Sequence, residues 1–237
     1  MKTILIFVDP LKKFNKEHEE LTKIQIDNSL DLGLKIEDIL LVTNFDYEYR
    51  GVNALIVNDD CYYSKNNFYR SSKILVINQL FRDGVINEGE IYWFRDNDAF
   101  QLEPLTEEKI KLDMDGECMG ITDHGWSKKF NAGSFFFDSR SIDIFLKIKE
   151  CMDERNLDEQ DGLQYLIDNN LVTGIKKLNL TYNFGISRHD YTIKLLEMPL
   201  IVAHFHPHKP RHLKLYIPFI TQKLINILKK YEIKSED

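Results

Sequence analysis

The chain has 237 residues, 43% of them apolar and 12% aromatic, enough for one domain with a sizeable core. With 11 glycines and 6 prolines it is no collagen-like or disordered chain, and Cys61, Cys118 and Cys151, which form no C-x-x-C, argue against a disulfide framework or a cysteine-built zinc site. The net charge of −7 is uneven: residues 170–237 carry +6 and the remainder −13, which fits an anionic ligand near the C-terminal end or a chance segregation of solvated charges.

The first apolar run, "ILIFV", ends at Asp9-Pro10 and is too short for a signal-peptide core or a membrane helix. The expectation is a soluble cytoplasmic protein. In chain order, "TILIFV" (3–8) reads as a buried strand. Residues 15–33 read as a helix, with Leu21, Ile24, Leu30 and Leu34 on one face. "DILLVT" (38–43) and "VNALIV" (52–57) read as strands. Residues 69–84 read as a helix opened near Ser71 or Ser72 and stopped at Gly84. "EIYWF" (90–94) is the next strand. This alternation predicts an α/β layer with a largely parallel sheet. Beyond it, 118–122 and 132–138 read as strands, 140–153 and 159–170 as helices, 200–205 as a late strand and 217–231 as a terminal helix.

In open parallel sheets, ligands sit beyond the carboxyl ends of the strands. Asp9, Thr43-Asn44 and Asp96-Asn97-Asp98 all fall at such ends, so one crevice lined by all of them is expected. Two carboxylates flanking one residue can turn toward one point, as a hard cation such as Mg²⁺ or Mn²⁺ requires. A second D-x-D, Asp113-Met114-Asp115, reads as a loop, and an isolated D-x-D is most often a solvated turn. Three later stretches add weight to the first. "FNAGSFFFD" (130–138) joins a turn-competent Asn131-Ala132-Gly133 to an apolar strand. "DEQDGLQYLI" (158–167) opens a helix with acids and a glutamine, though Asp158 also suits a plain N-cap. "LIVAHFHPHKPRHL" (200–213) places His204 at a strand end, with Lys209 beyond it. An imidazole there suits a third metal ligand, and a lysine suits a phosphate contact; a solvated histidine loop is the plainer alternative.

The order of these motifs resembles the GT-A glycosyltransferases and, within them, glycosyltransferase family 8, the glycogenin and bacterial galactosyltransferase group. That family runs from a strand to D-x-D, then N-x-G before an apolar strand, D-Q-D-x-L-N opening a helix, and H-x-x-G-x-x-K-P-W. The counterparts here are "RDNDAF", "FNAGSFFF", "EQDGLQ" and "HFHPHKPR". "YRSSKILVINQLF", which contains Lys73, is similar to the helix before the D-x-D strand. The resemblance covers roughly residues 69–213. It implies a Rossmann-like, mostly parallel central sheet flanked by helices, spanning 1–237 as a single domain with a basic portion at about 170–237.

The resemblance also implies roles. Asp96, Asp98 and His204 would hold Mn²⁺ or Mg²⁺ against the diphosphate of a UDP-sugar. Lys209 would contact the phosphates. Asn131 and Gln160 would bond the donor sugar, with Gly133, Lys73, Asp9 and Asn97 lining its site. Glu159 falls where the family has an aspartate beside the anomeric carbon, with Asp158 one residue earlier. Transfer would proceed with retention to a hydroxyl. The chain departs from the family at Glu159, in the missing glycine and shorter spacing of the last motif, and in Arg211 where the family has Trp.

The acceptor is expected to be a glycan or protein hydroxyl. A nucleic-acid acceptor, such as a hydroxymethylated base in phage DNA, stays open through Lys176, Lys177, Arg188, Lys194, Lys209, Arg211 and Lys214. Two other classes stay open as well: a catalytically inactive domain that binds a nucleotide sugar, and a D-x-D nucleotidyltransferase or phosphohydrolase using Mg²⁺.

Overall fold

The computed structural model describes residues 1–185 and 189–231. The strands, in chain order, are β1 (Lys2–Phe7), β2 (Ile39–Thr43), β3 (Glu48–Tyr49), β4 (Val52–Asn53), β5 (Leu55–Ile56), β6 (Tyr92–Arg95), β7 (Ala99–Gln101), β8 (Met119–Asp123), β9 (Phe130–Phe137), β10 (Ile175–Lys177), β11 (Phe184–Gly185) and β12 (Val202–His204). The helices are α1 (Lys16–Asp31), α2 (Ser72–Arg82), α3 (Glu107–Met114), α4 (Ile142–Arg155), α5 (Glu159–Asp168), α6 (His189–Thr192), α7 (Pro210–Tyr216) and α8 (Gln222–Lys230).

The central sheet runs β10-β8-β9-β6-β1-β2-β5. Its pairings are parallel except around β9, which is antiparallel to both β6 and β8. Aromatic side chains fix the β6–β9 register. Tyr92 lies opposite Phe137, Trp93 opposite Phe136 and Phe94 opposite Phe135, with ring centroids 5.7, 5.1 and 4.9 Å apart. Each such pair stabilises by about 0.5–1.5 kcal/mol beyond its area burial. A one-residue slip would send every ring to the wrong face.

Alternation along β6 sends Tyr92 and Phe94 to a core shared with Ile74, Ile77 and Leu80 of α2 and Phe145 and Ile148 of α4. Trp93 goes to the other face, with Ile110 and Met114 of α3. On that side α1 packs Ile26 against Leu5 and Leu41. Helices therefore cover both faces of the sheet, as an α/β layer requires. A second, smaller sheet, β11-β12-β7, has its own core, in which Phe100 and Phe205 meet Leu213 and Tyr216 of α7 and Leu224 of α8.

Several expected boundaries shift. The strand expected over 52–57 divides. Val52–Asn53 belongs to a hairpin whose two-residue turn, Arg50-Gly51, has positive φ at both positions, and only Leu55–Ile56 joins the sheet. The terminal helix expected over 217–231 starts at Gln222, because the Thr221 hydroxyl accepts from the Leu224 amide and caps it there; α7 precedes it. Asp113 and Asp115 are not in a loop. Asp113 lies in the last turn of α3 and pairs with Lys109 at 2.8 Å, while Asp115 ends the helix in the left-handed region and pairs with Lys176 at 2.9 Å.

Among the described residues, no helix is long and apolar enough to cross a membrane.

Candidate active site

Where the two sheets meet, the chain turns from β6 into β7 through Asp96-Asn97-Asp98. The Ala99 amide donates to the Asp96 carbonyl at 2.9 Å, closing a tight turn. One flank of the turn is fixed by β9, since the Asp96 amide donates to the Gly133 carbonyl at 2.7 Å. The other is fixed by β12, whose register sets His204 opposite Ala99 and whose continuation donates from the Phe205 amide to the Asp98 carbonyl at 2.9 Å. The floor is α1. Gln25 Nε2 donates to the Ala99 carbonyl at 2.8 Å and the Asn97 carbonyl at 3.2 Å, and Asn28 donates to Gln101 at 2.7 Å.

This scaffold brings Asp96, Asp98 and His204 together. One ligand atom from each lies within 4.8 Å of the others. His204 Nε2 stands 3.1 Å from Asp98 Oδ1. Both aspartate side chains keep 31% of their surface open, so a ligand can reach them. Two carboxylate oxygens and an imidazole nitrogen form a donor set that fits Mn²⁺ or Mg²⁺. Burial works against charge on Asp98, but His204 outweighs it and holds the carboxyl below the usual range. Burial likewise works against charge on His204, and Asp98 and Asp96 outweigh it and raise the imidazole.

Behind Asp96 is a buried ion cluster. Lys73, 6% exposed, reaches down from α2 to Asp96 Oδ1 at 2.8 Å, the Ala132 carbonyl at 3.0 Å and Glu159 Oε1 at 3.7 Å. Glu159, 4% exposed at the start of α5, also accepts from the Ser71 hydroxyl. Burial opposes charge on both; Lys73 is nonetheless raised by Asp96 and Glu159, and Glu159 lowered by Lys73 and Ser71. Asp158, one residue earlier, faces elsewhere. It accepts from the Asp161 amide at 2.7 Å as the N-cap of α5. Gln160 Oε1 lies 3.1 Å from His124 Nε2, where burial lowers the histidine.

The other expected residues have these places. Asn131 Oδ1 accepts from the Gly133 amide at 3.2 Å, and its carbonyl accepts from Asn183 at 3.0 Å. Gly133 stands against His204. Asp9 and Asn44 are joined at the ends of β1 and β2, the Asp9 amide donating to Asn44 Oδ1 and Asn44 Nδ2 returning to the Asp9 carbonyl, both at 2.9 Å. Asn97 turns away, donating to Thr22 of α1 at 3.3 Å. Lys209 is exposed at the N-cap of α7. The histidine loop is not simply solvated: His206 Nε2 meets Glu17 at 2.6 Å, and His212 is buried.

Three contributors escape a sequence reading. Asn183 and Gln25 sit in no motif, and only the folded register brings them here. His124 follows β8 as Asp96 follows β6, so the same strand-end rule would have found it. A recess lined by Asp123, His124, Asn131, Asn183 and Thr192 adjoins the His204 side. A roomier cleft of about 380 Å³ lies at the opposite end of the sheet, lined by Ile91, Met114, Asp138 and Arg140. It holds none of the converging acids, and chemistry rather than volume selects the first site.

No protein-family model matches the sequence, and no curated protein matches it. Solved structures do. An active-site mutant of LgtC superposes with a TM-score of 0.61 at 13% identity, over 98% of this chain and 95% of that one. The galactosyltransferase LgtC in complex with donor and acceptor sugar analogues gives 0.60 at 15%, over 96% and 100%. A glycosyltransferase involved in glycosylation of the major capsid of PBCV-1 gives 0.58 at 12%, over 86% and 92%. The chain has the GT-A fold, and its fold neighbours include the LgtC-type enzymes of glycosyltransferase family 8.

Proposed function

We propose that the protein is a metal-dependent glycosyltransferase that moves a sugar from a UDP-sugar to an acceptor hydroxyl with retention. The observation that carries this is the convergence of Asp96, Asp98 and His204 at the carboxyl end of β6 in a GT-A fold, with the Lys73–Glu159 pair directly behind. Catalytic GT-A neighbours, one of them bound to donor and acceptor sugar analogues, support it.

Asp96, Asp98 and His204 would hold Mn²⁺ or Mg²⁺, which supplies neutralisation of the diphosphate as it leaves. Lys209, exposed within the last motif, is assigned to add a point charge for the phosphates. Both act where negative charge develops, so they favour the transition state over the bound substrate. Of the two acids at the start of α5, Glu159 is assigned to the anomeric side, because Asp158 is occupied as a cap and Glu159 faces Lys73. Lys73 keeps Glu159 ionised despite burial, and an ionised carboxylate stabilises a cationic anomeric centre. Asn131 and Gln160 are assigned to the donor sugar, and Asp9 with Asn44 to the far end of the crevice.

For the acceptor, we favour a glycan or protein hydroxyl over DNA. Two of the lysines that a DNA face would need are already paired, Lys176 with Asp115 and Lys177 with Asp123. Arg188 lies outside the described residues. The test is a screen of UDP-sugars for UDP release, with and without EDTA. One donor hydrolysed or transferred only with metal supports the reading. Release from none of them in either condition favours an inactive nucleotide-sugar-binding domain.

A further inference from the structure

We infer that Asn183 is a positioning residue that fixes which nitrogen of His204 faces the metal. The inference rests on the metal-site reading above and deepens it. Asn183 lies just before β11, which pairs with β12 so that Gly185 stands opposite His204. Its side chain, 1% exposed, is bonded at both ends. Nδ2 lies 3.0 Å from the Asn131 carbonyl, and Oδ1 lies 3.0 Å from His204 Nδ1.

These two contacts leave no freedom in the assignment. A backbone carbonyl only accepts, so the amide nitrogen of Asn183 must face Asn131. Its oxygen then faces His204, and an amide oxygen only accepts. Nδ1 of His204 therefore carries a hydrogen, and Nε2, 3.1 Å from Asp98 Oδ1, is the nitrogen that would ligate a cation held there. Turning the ring over would set carbons where Nδ1 meets Asn183 and Nε2 meets Asp98, and both contacts would be lost. Nor can Asn183 flip, since its nitrogen would face Nδ1–H and its oxygen the Asn131 carbonyl. The chain Asn131–Asn183–His204 thus connects the N-x-G stretch to the metal site. Partners of this kind on metal-bound histidines typically change metal affinity by about 10–100-fold when removed.

The test uses the full chain and Mn²⁺ itself, titrated by loss of the free-ion EPR signal. Asn183→Ala should weaken binding by about 10-fold or more. Asn183→Asp, which keeps an acceptor toward Nδ1–H but sets its second oxygen against the Asn131 carbonyl, should restore part of it. Thermal melts without metal separate this effect from a loss of fold. An Asn183→Ala protein that folds and binds Mn²⁺ like wild type overturns the positioning role alone. Wild-type protein that binds no Mn²⁺ overturns the metal reading and this inference with it. A second measurement needs no variant: ¹⁵N NMR of the His204 ring in wild type loaded with diamagnetic Zn²⁺. A hydrogen on Nδ1 supports the inference, and a hydrogen on Nε2 with Nδ1 as the ligand overturns it.

Discussion

The imidazole of His204 lies against the α-carbon of Gly133, with no room between them for a side chain. A Cβ at residue 133 would come within 2.5 Å of His204 Nδ1 and would overlap Cε1. The backbone of Gly133 cannot yield, because its carbonyl holds the Asp96 amide. The third residue of the N-x-G stretch is therefore tied to the candidate metal site by space. Gly133→Ala should push the ring off the triad and weaken Mn²⁺ binding by about tenfold or more, with the thermal midpoint falling little. EPR titration beside a melt checks both.

Lys73 is the cation between two acids, and the pair it makes with Glu159 is buried on both sides. Removing it leaves the largely buried Glu159 without its cation. Lys73→Met should destabilise by about 3–5 kcal/mol, read as a lower urea midpoint. Adding Glu159→Gln should recover part of the loss, so the two changes should be clearly non-additive in a double-mutant cycle.

Gln25 ties α1 to the D-x-D turn through the carbonyls of Asn97 and Ala99. Gln25→Leu keeps the volume and leaves both carbonyls without that donor. The expected cost is about 1–3 kcal/mol, with an unchanged denaturant slope. Metal affinity should fall as well, because the turn that aims Asp96 and Asp98 loses its floor.

His124 predicts a pH effect. Burial lowers it from 6.5, only partly offset by the bond to Gln160. Below 6.5 the unfolded chain binds a proton that the folded chain resists, so this residue costs stability as pH falls from 6.5 through its folded value. His124→Gln should flatten the acid side of the stability profile in that window. Denaturant titrations at a series of pH values, comparing the variant with wild type, give the slope difference. An unchanged slope would show that the ring is not held in its neutral form.

Much of the fold was legible because its signals are local. "TILIFV", "DILLVT" and "EIYWF" are short apolar runs, and all three became parallel neighbours whose carboxyl ends share one edge. That rule alone brings Asp9, Asn44 and Asp96 to one crevice. Harder to read was anything set by a distant partner. Asn183 matters only because β11 pairs with β12 and β12 with β7, three segments far apart in the chain. The helix expected from Leu21 and Ile24 also buries Gln25, Asp27, Asn28 and Ser29, polar residues whose partners include groups on β7, β6 and the Arg50-Gly51 turn. Hydrophobic periodicity is blind to such a face. The choice between Glu159 and Asp158 was equally closed to sequence, since an acid before a helix reads the same whether it caps the helix or points inward.

The central claim is that Asp96, Asp98 and His204 form a cation site at which a nucleoside diphosphate binds. Calorimetric titration of UDP into the protein with Mn²⁺, repeated with EDTA and with Asp98→Asn, tests it most directly. The account predicts binding with Mn²⁺, and loss of that binding both on chelation and in a variant that still melts cooperatively. Equal UDP affinity with Mn²⁺ and with EDTA, or an Asp98→Asn protein that binds as wild type does, would contradict it.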